Sequence, residues 1–296
     1  MAKAGKRLSL ALLSLLPGSE SPYSVYVHGG TWPLTGRSEV LRRIAAAISD
    51  PDFPGVVQGG PVGVGKSRIA REALAQAARQ GAATHWVIGT ATARSVPAGA
   101  FAAWAGPGIN STLELVRNII DALTADCPDQ QVVVGVDDVH LLDDLSTFVL
   151  RQVVERRIAS LVVTFRDGDP LPAAALELWS GDGFEHLQLD PLTYDDTFAL
   201  ITARLGTPPV PSVAQNLWTL TQGNALYLHD IVEQELNDQR LTLREGRWEW
   251  TGKPVFAPSL IDMIESRIGS LPKDVSDVID VLAVGEPLEL AALCRI

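Results

Sequence analysis

The stretch "GPVGVGKS", residues 60–67, decides the fold. It fits the pattern G-x-x-x-x-G-K-[S/T], comes directly after the short run "GVVQG" at 55–59, and opens a helical pattern over 66–80. In this arrangement the glycines let successive backbone N–H groups turn toward one anion, and the helix N-terminus adds a partial positive charge. The stretch therefore predicts a phosphate-binding loop between a buried strand and a helix.

This loop supplies most of the candidate nucleotide-binding groups. Lys66 is expected to reach the β- and γ-phosphates as a point charge, and we count it among the candidate catalytic residues. The Ser67 hydroxyl is a candidate Mg²⁺ ligand. The alternative is a glycine-rich turn that holds no ligand. The candidate contacts of the loop are Gly60, Pro61, Val62, Gly63, Val64, Gly65, Lys66, Ser67 and Arg68.

A second motif, "VVVGVDDVHLLDD" at 132–144, ends an apolar strand in two adjacent aspartates. A P-loop needs a carboxylate at the end of a neighbouring strand to hold Mg²⁺, and Asp137 stands at that point; taken alone it is equally an Asx turn. Asp138 is a candidate general base or water-positioning residue, although it is one methylene shorter than the usual glutamate. The alternatives for Asp138 are a supporting partner of the metal site and a surface charge. We expect the following turn and helix cap to use His140, Asp143 and Asp144.

A third motif is the strand "SLVVTF" at 160–165 with the "RDGDP" that follows it. Thr164 or Arg166 is expected to project from this strand end beside the phosphates. Arg166 is a candidate catalytic residue that contacts the γ-phosphate and reports its presence. The alternative is an arginine paired to Asp167 or Asp169.

The wider pattern predicts an α/β fold, a P-loop NTPase with a mostly parallel sheet flanked by helices. After Pro191 three helical patterns indicate a helical lid domain. The stretch "LTLREGRWEW" at 241–250 predicts a hairpin, and two further helices near 258–269 and 273–284 predict the start of a winged-helix-like domain, apparently truncated. The expected divisions are an N-terminal extension (1–33), a nucleotide-binding domain (34–190), a helical lid domain (191–240), and the hairpin with the start of the winged-helix-like domain (241–296).

Composition limits the partners. The net charge of −11 disfavours a broad phosphate-binding face, so we expect no direct DNA contact from this chain alone. Cys127 and Cys294 show no zinc spacing and no disulfide framework, which fits a cytoplasmic protein. The apolar run from Leu8 to Leu16 resembles part of a signal peptide, but it is too short to span a bilayer and no clear cleavage site follows. We therefore expect a cytoplasmic protein without a membrane partner.

With these motifs in order, the chain resembles the STAND class of P-loop NTPases, and within it the AAA-like ATPase module of LuxR-type (LAL, MalT-like) bacterial transcriptional regulators. The resemblance runs from about residue 34 to the end. The stretches that carry it are "LTGRSEVLRRI" (34–44), "GPVGVGKSRIA" (60–70), "ARSVPAGAFA" (93–102), "VDDVHLLDDLS" (136–146), "VVTFRDGDPLP" (162–172), "LQLDPLTYDDTFALITARLG" (187–206) and "TQGNALYLHDIVE" (221–233).

The resemblance implies a switch controlled by ATP and ADP with Mg²⁺, closed with ADP, and open and self-associating with ATP and an inducer whose identity is unknown. Gly36 and Arg37 would lie against the adenine. The family usually has proline where Ala225 stands, and that proline contacts nucleotide from the helical domain, so the resemblance is incomplete at the domain-closure contact. The chain has no N-K-x-D, the guanine-reading signature of common GTPases, which favours ATP.

Three functions compete on the sequence alone. The first is a slowly hydrolysing regulatory ATP switch, and the second is an AAA-like ATPase that remodels a partner with steady turnover. The second needs an arginine finger from a neighbouring subunit, for which Arg156 and Arg157 are the nearest candidates. The third is a scaffold that keeps nucleotide only for stability.

Overall fold

The computed structural model describes residues 32–50, 53–107, 111–125, 130–179 and 183–251, together with residues 273, 275, 277 and 278. Nearly all of the predicted N-terminal extension and of the predicted helices near 258–269 and 273–284 lie outside the described residues. The described helices are α1 (Ser38–Ser49), α2 (Lys66–Arg79), α3 (Thr112–Thr124), α4 (Asp144–Glu155), α5 (Ala173–Trp179), α6 (Tyr194–Leu205), α7 (Pro211–Thr221) and α8 (Ala225–Asn237). The strands are β1 (Gly55–Gly59), β2 (Ala83–Ile88), β3 (Val132–Asp137), β4 (Ser160–Thr164), β5 (Phe184–Gln188), β6 (Leu241–Arg244) and β7 (Arg247–Trp250).

The first five strands form one parallel sheet in the order β2-β3-β4-β1-β5. The phosphate loop follows β1, and the motifs with the candidate acidic and arginine residues follow β3 and β4. Because all strands run the same way, these three chain segments meet at one edge of the sheet. Strands β1 and β3 are buried along their whole length, and β1 includes one buried polar residue, Gln58.

Two hydrophobic cores cover the two faces of this sheet. One face packs against α1 and α2, with Ile44, Ile69 and Val162 in its core. The other face packs against α3, α4 and α5. Alternate residues of a strand serve opposite faces, so that Val56 belongs to the first core and Val57 to the second. The predicted parallel sheet with helices on both faces is confirmed.

The chain after β5 builds a third core from α6, α7 and α8, to which the N-terminal Trp32 also belongs. Helix α6 begins with a capping box in which Thr193 and Asp196 satisfy each other's backbone N–H groups. The hairpin β6–β7 packs on this core through Leu241, and Trp250 Nε1 donates to Glu235 on α8 (2.7 Å). The hairpin and the helices thus share one core.

Strand β2 ends at Ile88. Gly89 N–H makes a last backbone bond to Asp137 O (2.8 Å), and a side chain at Gly89 would stand 2.4 Å from Asp138 O. The chain then turns, and the Thr90 hydroxyl accepts from Ala93 N–H (3.0 Å) ahead of a 3₁₀ turn. In the described part of the chain, no helix is both long and apolar enough to cross a membrane.

Candidate functional site

The phosphate loop has the backbone that its glycines predict. Gly60, Gly63 and Gly65 have φ values of +154°, +83° and +101°, which residues with a side chain rarely adopt. Gly65 is the N-cap of α2, so the loop runs directly into the first turn of that helix. The positive end of a 14-residue helix therefore faces the concave side of the loop.

Lys66 is held inside the loop. Its Nζ donates to the carbonyls of Gly60 (2.7 Å) and Pro61 (2.8 Å), and the residue is buried. Burial lowers the pKa of the Lys66 ammonium, while the charge of Asp138 acts in the opposite direction. The ammonium is thus desolvated in advance and sits where a phosphate can replace the two carbonyls as its partner.

Ser67 and Asp137, the two candidate metal ligands, are in contact. Ser67 Oγ donates to Asp137 Oδ1 (2.8 Å), and Thr164 Oγ1 on β4 donates to the same oxygen (2.5 Å). A hydroxyl and a carboxylate are hard oxygen donors of the kind that Mg²⁺ takes alongside substrate phosphates. The donor set therefore fits Mg²⁺, with Thr164 orienting the carboxylate.

Asp138 and Arg166, the two remaining candidate catalytic residues, form an ion pair with two hydrogen bonds. Arg166 Nε donates to Asp138 Oδ1 (3.0 Å) and Nη2 donates to Oδ2 (2.7 Å). This hydrogen bonding raises the pKa of the Arg166 guanidinium. Arg166 therefore pairs with Asp138, and the sequence alternatives of Asp167 and Asp169 named the wrong partner.

Asp138 also has an unusual backbone. Its φ and ψ are +51° and +53°, in the left-handed region, and its N–H donates to Thr164 Oγ1 (3.1 Å). Asparagine and aspartate tolerate this conformation better than other residues with a side chain, and such positions concentrate at functional sites. Thr164 thus bonds both aspartates and fixes their relative orientation.

His140 stands closer to the site than the sequence indicates. It is buried in a 3₁₀ turn, with Nε2 3.3 Å from Asp169 Oδ2 and Nδ1 4.0 Å from Asp138 Oδ1. Burial lowers the pKa of His140, against the charges of Asp138 and Asp169. Asp143 has the predicted capping role, since its Oδ1 accepts from the N–H groups of Leu145 and Ser146.

A cavity of about 420 Å³ extends from the phosphate loop toward the helical part of the chain. Its size and mixed apolar and polar walls are those of a small-molecule site. Arg37 belongs to the lining and donates from Nη2 to Asp190 O (2.7 Å). Gly36 lies beside the lining, where a side chain would stand 2.4 Å from Asp196 Oδ1, and its adenine contact stays a prediction. The walls include Leu34, Thr35, Val62, Gly63, Lys66, Leu192, Leu200, Ala225, Leu226 and His229.

Trp32 is a cavity residue that the sequence reasoning missed. Its Nε1 donates to Glu233 on α8 (2.6 Å), its carbonyl accepts from Arg68 on α2, and its ring lies 5.1 Å from that of His229. The segment that begins at Trp32 therefore joins the helical part to the helix after the phosphate loop. A tryptophan followed by proline was the available signal, but nothing in the sequence says what it contacts.

Asn224 is a second missed residue, directly before the Ala225 that the sequence singled out. Its Nδ2 donates to the carbonyl of Val62 in the phosphate loop (2.7 Å). The neighbouring Leu226 N–H donates to the carbonyl of Gly63 (3.0 Å). The N-terminus of α8 thus touches the loop directly, and Ala225 lines the cavity.

A larger, more open cavity of about 810 Å³ lies on the other side of the acidic residues. The residues that line it include Ser67, Arg71, Asp137, Asp138 and Arg166. Neither candidate arginine finger lines either of these two cavities. Arg156 and Arg157 follow α4 and precede β4, so they lie at the sheet edge opposite the phosphate loop.

No family model matches the chain, and no curated protein matches it either. Several solved structures are similar to the chain. The Aeropyrum pernix ORC1 protein in complex with DNA has a TM-score of 0.53 at 18% identity, covering 90% of this chain and 77% of that chain. AMPPCP-bound DnaA from Aquifex aeolicus has a TM-score of 0.51 at 13% identity, covering 70% of this chain and 64% of that chain. Drosophila ORC bound to DNA has a TM-score of 0.51 at 17% identity, covering 96% and 74%. The chain therefore shares with these structures an α/β fold with a five-stranded parallel sheet flanked by helices.

Proposed function

We propose that this chain is an ATP-binding, slowly hydrolysing switch, the nucleotide-binding module of a cytoplasmic LuxR-type transcriptional regulator of the STAND class. The observation that carries nucleotide binding is the contact between Ser67 Oγ and Asp137 Oδ1 (2.8 Å). These residues lie 70 positions apart and belong to two motifs that a P-loop ATPase needs at one point. The α/β fold with its parallel sheet and the order of the remaining motifs support the same proposal.

In the proposed complex the loop binds the phosphates of ATP or ADP through its N–H groups and Lys66. Ser67 and Asp137 would hold Mg²⁺, which would supply positive charge against the phosphates. The smaller cavity takes the adenosine, between the segment after Trp32 and the first turn of α8. The resemblance implies that Gly36 and Arg37 lie against the adenine; Arg37 lines this cavity and Gly36 lies beside it.

The ion pair of Asp138 with Arg166 supports slow hydrolysis. Both carboxylate oxygens of Asp138 accept hydrogen bonds from Arg166, so this pair has to open before the carboxylate can take a proton from the attacking water. When Arg166 turns to the γ-phosphate, it releases Asp138. The Asp138 carboxylate then accepts a proton from the attacking water. After hydrolysis the γ-phosphate is gone and Arg166 returns to Asp138. Arg166 thus reports the γ-phosphate, and Asp138 resets the switch.

The regulatory role and its partners rest on the resemblance. We propose that an inducer of unknown identity and ATP together favour self-association, and that DNA contact belongs to parts of the regulator outside this chain. The net charge of −11 supports the last point, because an acidic surface repels a phosphate backbone.

Steady-state hydrolysis and analysis of co-purified nucleotide test this proposal. The account predicts tightly held ADP and turnover below about one per minute, the range of unassisted P-loop switches. Faster turnover contradicts the switch, and the absence of any nucleotide binding contradicts the module.

A second candidate function is an AAA-like remodelling ATPase. The open cavity of about 810 Å³ beside Asp138 and Arg166 favours it, because a neighbouring subunit has room to insert a side chain there. Steady turnover that rises with protein concentration supports this candidate. Nucleotide binding without any hydrolysis would instead support a scaffold without catalysis.

A further inference from the structure

The first turn of α8 is bonded to the outer side of the phosphate loop. Asn224 Nδ2 donates to Val62 O (2.7 Å), and Leu226 N–H donates to Gly63 O (3.0 Å). Both acceptors are backbone carbonyls of the loop. The donors come from the start of α8, and Asn224 lies 162 positions after Val62 in the chain. The loop conformation is therefore stabilised by hydrogen bonds from the start of α8.

The geometry of the peptide unit relates these two hydrogen bonds to anion binding. In a planar trans peptide the C=O and the N–H of the same unit point in opposite directions. The carbonyl of Val62 shares its peptide with Gly63 N–H, and the carbonyl of Gly63 shares its peptide with Val64 N–H. Holding both carbonyls toward α8 therefore aims both N–H groups at the concave side of the loop. Within the described part of the chain neither N–H has a protein acceptor.

Asn224 is itself firmly placed. Its Oδ1 accepts from Leu226 N–H (3.1 Å) and Tyr227 N–H (3.3 Å), which makes it the N-cap of α8. Gly223 before it has φ of +74° and accepts from Leu192 N–H (2.8 Å). The side-chain oxygen accepts hydrogen bonds from the helix, and the side-chain nitrogen donates one to the loop, so both ends of the amide are hydrogen-bonded.

We infer that Asn224 is a positioning residue for phosphate binding, which turns Gly63 N–H and Val64 N–H toward the phosphates of the nucleotide. This inference rests on the proposed function, because it concerns the same nucleotide. It gives the helical part a direct effect on phosphate affinity that does not pass through the base. It also explains why Gly63 has no side chain: a Cβ there would stand 2.4 Å from Asn224 Oδ1.

The test compares two substitutions that keep the cap and remove the amide donor. Serine and aspartate are both good N-caps, so Asn224→Ser and Asn224→Asp should leave α8 intact. Asn224→Ser should weaken binding of Mg-ATP about tenfold, the effect of about one hydrogen bond, and Asn224→Asp should weaken it at least as much. Asn224→Ser is the neutral variant and separates the lost donor from charge repulsion by the aspartate.

Inorganic tripolyphosphate is the second probe, since it has the phosphates of ATP and lacks the base. Asn224→Ser should weaken tripolyphosphate by the same factor as ATP. Ser111→Ala is the matched control, because it removes the side-chain N-cap of α3 at an exposed residue that lines neither cavity. It should lower Tm and leave both affinities unchanged.

The outcomes are distinct. Equal losses for ATP and tripolyphosphate in both Asn224 variants support the inference. A loss in Asn224→Asp alone, a loss for ATP alone, unchanged affinities, or an equal loss in Ser111→Ala overturns it. A parent chain that binds neither ligand overturns the proposed function instead, and that result is read before any variant is compared.

Discussion

Asp138 and Arg166 are joined by two hydrogen bonds, 3.0 Å from Nε to Oδ1 and 2.7 Å from Nη2 to Oδ2. The Asp138 side chain is only 20% exposed, so the pair is less screened than a surface ion pair. Asp138, the candidate base, and the γ-phosphate of ATP therefore compete for one partner, the guanidinium of Arg166, the candidate sensor. The proposed slow switch follows from that competition.

The first prediction concerns Asp138 as the base. Asp138→Asn should keep ATP binding and slow single-turnover hydrolysis by about a hundredfold or more, the usual effect of a general base. Quenched single-turnover assays with labelled ATP measure it. Asp144→Asn, in the exposed first turn of α4, is the matched control and should hydrolyse at the parental rate. Parental hydrolysis in Asp138→Asn would remove the residue from the base role.

The second prediction concerns Arg166 as the sensor. Arg166→Gln should lower the ratio of ATP affinity to ADP affinity about tenfold, because only ATP has the γ-phosphate that this guanidinium contacts. Titration calorimetry with ADP and a non-hydrolysable ATP analogue measures the ratio. Arg151→Gln, which disrupts a surface pair with Glu155, should leave it unchanged. An unchanged ratio in Arg166→Gln would show that Arg166 only holds Asp138.

The third prediction concerns the glycine at the tip of the loop. Gly63→Ala places a Cβ 2.4 Å from Asn224 Oδ1 at φ of +83°, so it should weaken nucleotide binding strongly and lower Tm. Gly106→Ala is matched in backbone strain, with φ of +70°, but its Cβ would meet nothing within 4 Å. The control should therefore lower Tm modestly and leave binding intact. Equal binding in the two variants would contradict the close approach of α8.

The fourth prediction concerns pH. Burial lowers the pKa of His140 below its ordinary 6.5, so the unfolded chain binds this proton more readily than the folded chain. The residue therefore costs stability as the pH falls below 6.5, and the cost stops growing below its folded pKa. His140→Gln should show a smaller fall in Tm between neutral and mildly acidic pH than the parent. His186→Gln is the control, and an identical fall in all three proteins would contradict the burial effect.

Much of this site follows from short motifs whose chemistry is local. The glycine spacing of the loop and the aspartate at the end of β3 were readable because a strand direction and a sheet edge place them together. Arg166 was predicted at the same edge of the sheet for the same reason, and its γ-phosphate contact stays a prediction. A bidentate pair between residues 28 positions apart depends on the relative rotation of two strand ends, which no motif encodes.

Trp32 and Asn224 were missed for a different reason. Their contacts join parts of the chain that are far apart in sequence, Trp32 to Glu233 and Asn224 to Val62. Such contacts depend on how the helical part packs against the sheet, which hydrophobic periodicity does not determine. The asparagine before α8 is readable as an N-cap, but its second bond is visible only in the fold.

The central claim is that this chain binds Mg-ATP through the loop that begins at Gly60. The most direct measurement is calorimetric titration of the nucleotide-free chain with Mg-ATP, beside Lys66→Ala. The account predicts one site with Kd of about micromolar or tighter, and a loss of about a hundredfold or more in Lys66→Ala. A parent without saturable binding, or a Lys66→Ala variant that binds like the parent, would contradict it.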